Sequence, residues 1–181
     1  MIHKFGFFIL SAIAIISLTS CAVDDHFSSD TNQGLVFSED TVRMDTVFTA
    51  VPSSARSFWI YNRTSRNLRF GVVLEKGNQL GFRVNINGLY LNVVKGSQIH
   101  DVELDSNDSI RVFVELTAQK QSQEVISLLE DKLCFMFGNG LKQEVIMQAY
   151  ALKADIIDTW IVEENTEWQS TRPCLVKGGI V

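Results

Sequence analysis

Three cysteines and three histidines are all the thiol and imidazole ligands these 181 residues offer. His3, His26 and His100 lie far apart, and none stands at ligand spacing from a cysteine, so a zinc centre has no sequence support. Gly-x-Ser-x-Gly and the glycine-rich phosphate loop are both absent. Basic charge is scarce: 16 Lys and Arg against 21 Asp and Glu give a formal charge of −5, with no basic stripe, which argues against a nucleic-acid partner. Only two prolines occur, beside 12 Phe, 3 Tyr and 3 Trp, and aromatic and β-branched enrichment favours strands over helices. The expectation is a non-enzymatic protein with no cofactor and no metal.

Two weak constellations fall on inspection. His100-Asp101 beside Glu103 suggests an acid–base pair, yet adjacent strand residues point to opposite faces. Asp105-x-Asn107 begins like a calcium loop, but the sixth and twelfth positions are Ile110 and Leu116 where Gly and Glu are required.

What is present begins at the N-terminus. His3 and Lys4 precede an almost wholly apolar run from Phe5 to Leu18, then the small residues Thr19 and Ser20. Charge, apolar run and small-residue exit describe a secretory signal over residues 1–20. As a helix the run would span roughly 21 Å, short of the hydrocarbon core of about 30 Å. Leu18-Thr19-Ser20-Cys21 resembles the lipobox of bacterial lipoproteins, which implies cleavage before Cys21 and lipidation of its thiol. Several acyl chains, each CH2 contributing about 0.8 kcal/mol, make a durable membrane anchor. Residues 21–34 are polar and acidic, too poor in apolar residues to fold, and are expected to form a flexible tether. Asp24-Asp25 is similar to acidic export signals of Bacteroidota surface lipoproteins, which implies an outer-membrane location with surface display.

With Cys21 lipidated, Cys134 and Cys174 remain, and two unpaired thiols are favoured over a disulfide. From Leu35 the pattern has period two, with turn signals between. Expected strands cover 35–37, 41–49, 57–62, 68–74, 82–86, 89–94, 99–104, 110–117, 132–137 and 141–150, with hairpin turns at Asn87-Gly88 and Gly138-Asn139-Gly140. Leu68, Phe70, Val72 and Leu74 share one face; so do Val112, Val114 and Leu116, and Leu133, Phe135 and Phe137. Gln121 to Asp131 is the one stretch that reads as helical. Short strands at this spacing over residues 35–154 predict an all-β, immunoglobulin-like antiparallel sandwich, with a barrel as the rival. Residues 155–181 change character, with two Trp and several acids, and read as a linker followed by new strands.

The succession LVFSEDTVRMDTVFT, SFWIYNRTSRNLRF, FRVNING, ELDSNDSIRVFVELT and LKQEVIMQAYA is similar to the N-terminal region of large Bacteroidota surface lipoproteins, in which an Ig-like domain precedes a right-handed parallel β-helix. The resemblance implies a stalk whose residues 172–181 begin the first coil, in a chain that stops short of it. Asp40-Thr41, Asp45-Thr46 and Asp108-Ser109 resemble O-glycosylation acceptors of that phylum, which makes Thr41, Thr46 and Ser109 candidates.

Three functional expectations follow. The first is a lipid-anchored, non-catalytic Ig-like stalk or interaction module. The second is the N-terminal piece of a polysaccharide-binding or polysaccharide-lyase β-helix protein. The third is a free-standing lipoprotein binding glycan or surface proteins. Trp160 and Trp168, near Glu163, Glu164 and Glu167, and Tyr90 after its hairpin glycine, are the candidate glycan contacts, although a charged linker packing its Trp inward is the plainer account.

Overall fold

A computed structural model describes residues 26–91, 93–119, 126–165, 167 and 169–180. Cys21, Trp168 and residues 121–125 of the expected helical stretch lie outside them.

Among the described residues there are twelve strands: β1 Val36–Phe37, β2 Thr41–Phe48, β3 Arg56–Tyr61, β4 Leu68–Leu74, β5 Phe82–Ile86, β6 Leu89–Tyr90, β7 Gln98–Leu104, β8 Ser109–Leu116, β9 Ile126–Met136, β10 Lys142–Leu152, β11 Asp155–Ile157 and β12 Cys174–Val176. Two five-stranded sheets, β1-β3-β8-β5-β6 and β2-β10-β9-β4-β7, enclose one contiguous core. This is an immunoglobulin-like β-sandwich, its first strand divided between the sheets. β1 pairs antiparallel with β3, whereas β2 pairs parallel with β10. A register shift opposite Gln148 and Tyr150 accommodates Asp45, which has a φ of 60°.

The three expected core faces are buried as alternation requires, from Leu68 through Leu74, Val112 through Leu116 and Leu133 through Phe137. Phe37 of the first sheet meets Phe135 of the second at 4.9 Å between ring centroids, and Phe70 packs on Phe135 and Phe137 at 6.1 and 5.6 Å. Asn87 and Gly88, with φ of 51° and 83°, close the β5–β6 hairpin in the left-handed conformations such a turn needs. Gly81 is fixed by proximity as well as by its φ of 90°: an added Cβ would stand 2.0 Å from the Thr117 carbonyl oxygen.

Asn62, wholly buried, ties the two strand-connecting loops at one end of the sandwich. Its Nδ2 donates to the carbonyls of Arg66, Leu104 and Asp105, and its Oδ1 accepts from the Thr64 amide and hydroxyl. The Asn62 amide side chain thus joins the 62–66 turn to Leu104 and Asp105, while its backbone N–H donates to the Asp108 carbonyl.

Three expectations change. Ile126 to Asp131 is strand and not helix: Leu129, Asp131 and Leu133 point inward while Ile126 and Leu128 face solvent. The strand expected over 89–94 stops at Tyr90, and Val93–Lys95 forms a 3-10 turn. The expected tether is part of the fold from Phe27 onward. Ser28 exchanges backbone hydrogen bonds with Asn67 and Arg69, Gly138 donates to the Ser29 carbonyl, and the Asn139 side chain donates to Thr31. Backbone groups here compensate for the shortage of apolar side chains.

After β10 the pairing becomes parallel. β11 aligns with β12, Asp155 opposite Cys174 and Ile157 opposite Val176, and Trp160 bridges Ile180 in the same sense. Ser170 and Arg172 fasten this coil by reaching the Asp155 carboxylate at 2.9 and 2.8 Å.

Candidate functional site: the outer face of the first sheet

Strand β8 turns Val112, Val114 and Leu116 inward, so Ser109, Arg111, Phe113 and Glu115 project outward. Its neighbour β3 turns Phe58 and Ile60 inward and presents Ser57, Trp59 and Tyr61 on the same outer face. Register sets Trp59 opposite Arg111 and Ser57 opposite Phe113. On the other side Asn85 of β5 stands opposite Phe113 and also pairs with Tyr90 of β6. Aromatic and polar groups therefore alternate across four strands.

Arg111 lies between two rings, its guanidinium carbon 5.6 Å from the Trp59 centroid and 5.1 Å from that of Phe113. Its Nε and Nη2 donate to the Ser57 hydroxyl at 3.1 and 2.9 Å, which fixes the plane of the fork. Arg63 stacks over Tyr61 at 4.4 Å. Neither arginine has an acidic partner among the described residues. Trp59 and Phe113 each keep 39 % of their surface exposed and Tyr90 keeps 58 %, so the rings are open to solvent. Arg83–Glu115 at 2.7 Å and Arg56–Asp45 are the paired charges beside them.

Of the residues singled out from sequence, Tyr90 and Ser109 belong to this face; Ser109 sits opposite Tyr61. Thr41 and Thr46 lie on β2 of the other sheet, Thr46 exposed and Thr41 half-buried. Trp160 is half-buried and forms its bridge with Ile180 of the C-terminal segment. Trp59, Arg111, Phe113 and Tyr61 were not picked out as binding residues. The available signal was that alternation leaves their positions outside the core faces; their mutual register is not legible locally.

Other clusters carry less. Cys134 Sγ and carboxylate oxygens of Glu75 and Glu144 lie within 4.8 Å of one another. Lys142 and Lys132 already claim Glu144, at 2.5 and 3.0 Å, and their hydrogen bonds hold its carboxyl below the usual range. Burial pushes the Cys134 thiol up, so it stays protonated, and the group is a neutralised ion cluster over a buried thiol. Cys134 and Cys174 are both free. Glu103 is engaged by Arg69 at 2.6 Å, which removes it from any pairing with His100. The 105–108 turn is a backbone structure, with Asp108 N–H donating to the Asp105 carbonyl.

No protein-family model and no curated protein matches the chain. Among solved structures it is similar to the E. coli chaperone DraB (12 % identity, TM-score 0.40, 65 % of this chain and 54 % of that one). It also resembles the PapD-like domain 7 of human CEP192 (9 %, 0.39, 75 % and 94 %) and the major pilin subunit BcpA of Bacillus cereus (10 %, 0.36, 69 % and 43 %). The chain spans about half the length of the chaperones it resembles. Likenesses this distant establish neither partner nor activity.

Proposed function

We propose that this protein is a lipid-anchored, non-catalytic module of the bacterial cell envelope. It is held in the outer membrane through Cys21 and displayed at the cell surface, and it engages a glycan or a surface protein through the outer face of its first sheet. One observation carries the binding reading: Arg111 stands fixed between exposed Trp59 and Phe113 with no carboxylate among the described residues to neutralise it. Exposed rings around a pre-oriented guanidinium suit recognition, since the ring faces supply area and the fork supplies direction. The anchor rests on the lipobox resemblance at Leu18 to Cys21. Cys21→Ala is expected to release the protein from the membrane fraction; unchanged attachment would refute the anchor. A Trp59→Ala/Phe113→Ala pair is expected to abolish partner binding with the melting temperature preserved, and retained binding would refute this face.

A second reading is favoured by the parallel β11–β12 pairing, whose partners lie 19 residues apart at Asp155 and Cys174. Consecutive parallel turns at a near-constant offset support the start of a β-helix, as in polysaccharide-binding or lyase proteins. Intact-mass analysis of the native protein tests it: a species much heavier than lipidated residues 21–181 supports the reading, and that short species alone removes it.

A further inference from the structure

We infer that the ligand of the first-sheet face is an acidic polysaccharide, its carboxylates met by Arg111 and its sugar rings stacked on Trp59, Phe113 and Tyr90; this rests on the binding reading above.

Charge complementarity is the first argument. The chain carries a formal −5, yet this face holds two arginines, Arg111 and Arg63, lying on aromatic rings without acidic partners among the described residues. An uncompensated cation in an acidic protein creates a local field that selects an anion. Ser57 occupies Nε and one N–H of Nη2 and leaves the Nη1–Nη2 edge of Arg111 open for a two-point bond with a carboxylate.

Shape is the second argument. Strand addition is the usual way a sheet takes up a peptide, but both edges of this sheet, Val36–Phe37 and Leu89–Tyr90, are two residues long. What the sheet offers is a flat surface of rings, amides and hydroxyls. Strand spacing of about 5 Å and a two-residue step of about 7 Å put Trp59 and Phe113 roughly 8 Å apart and Phe113 and Tyr90 roughly 10 Å apart. The three rings mark ring-sized stacking positions on a path that runs diagonally from Trp59 to Phe113 and then straight across the strands to Tyr90. Asn85 stands between the last two and Ser57 flanks Phe113, which fits a chain of sugar units presenting C–H faces and hydroxyls.

The test measures binding of the full-length chain to polygalacturonate, alginate and hyaluronate, with methyl-esterified polygalacturonate and a neutral mannan as uncharged counterparts. The expected result is at least one acidic polymer bound tenfold or more tightly than the uncharged ones, weakening as salt is raised. Arg111→Gln is expected to reduce that binding about tenfold at unchanged melting temperature, and Arg111→Lys to restore part of it. Arg43→Gln, an exposed arginine on the other sheet, is expected to change nothing. Equal affinity for polygalacturonate and its ester would overturn the acidic preference and leave the binding face standing. The same division holds if Trp59→Ala abolishes binding to a surface protein while no polysaccharide binds. Acidic binding untouched by Arg111→Gln and Trp59→Ala, or lost in Arg43→Gln, would overturn both readings.

Discussion

On the outside of the second sheet, Lys132 and Lys142 both reach Glu144, Arg69 reaches Glu103, and Gln148 donates to Glu130. On the outside of the first, Arg111 lies between Trp59 and Phe113, and Arg63 lies over Tyr61. The inner faces differ less, since both are closed mainly by aliphatic and phenylalanine side chains, with Asp131 of β9 the buried acid among them. Exposed apolar side chains alone do not separate the outer faces either, because Leu128 and Tyr150 are as open on the second sheet as Tyr90 is on the first. The distinction is narrower: both sheets carry ion pairs, Arg83–Glu115 being the first sheet's own, but only the first holds two arginines, Arg111 and Arg63, against rings with no acidic partner among the described residues. Surface ion pairs contribute little to folding. A pre-oriented, unpaired guanidinium is therefore better understood by what it can bind.

Substitutions can sharpen or break that contrast. The largest expected effects lie inside, where the sheets are alike. Phe58→Ala and Phe135→Ala should each cost about 3–5 kcal/mol in denaturant unfolding, and a much smaller loss for one would show that the two inner faces are not equivalent. Asn62→Ala should cost about 2–3 kcal/mol, since it strands the carbonyls of Leu104 and Asp105 and the Thr64 amide. Calorimetry that shows no loss would remove the amide from its place as the tie between the loops. Next come Trp59→Ala and Phe113→Ala, each within about 1 kcal/mol in stability but defective in binding. Tyr150→Ala and Leu128→Ala should alter neither property, and a binding loss in Tyr150→Ala would move the site to the second sheet. The smallest effect belongs to Glu144→Gln, for which urea melts at physiological salt should superimpose on the parent.

Asp131 supplies a separate test of the inner faces. It is 1 % exposed on the inward side of β9, accepting through Oδ1 from the Lys76 and Lys132 amides while Oδ2 has no partner. Burial raises its pKa above the ordinary carboxylate value, outweighing those two amides. The folded state then holds the proton more tightly than the unfolded state. Stability should fall as pH rises from the ordinary carboxylate range through the raised value, and should be fully recovered only below the ordinary range. Asp131→Asn, which keeps the shape without the charge, should flatten that dependence, as pH-resolved unfolding would show. An unaltered profile would assign the dependence to other groups.

The sandwich was legible because period two is a local property, and Leu68 through Leu74 and Ile110 through Leu116 display it without interruption. The helical reading of Gln121 to Asp131 failed at Asp131, where an acid takes a core-facing position and disguises the alternation. The tether reading did not foresee the backbone hydrogen bonds of Ser28 and Ser29 or the Asn139 side chain on the Thr31 carbonyl, contacts that composition does not register. The binding face was half legible. Alternation excludes Trp59 and Phe113 from the core, but nothing local to either strand says that Trp59 will stand opposite Arg111, because that follows from the register between segments 50 residues apart. Tyr90 was visible earlier because its hairpin turn lies beside it in the chain.

The most direct measurement is an NMR titration of the chain with uronate oligosaccharides, following the Trp59 indole N–H and the Arg111 Nε–H. The account predicts that both shift together and saturate at one concentration, with the Arg43 Nε–H unmoved. Shifts confined to Arg43 and its neighbours, or an Arg111 signal that stays fixed while ligand binds, would contradict it.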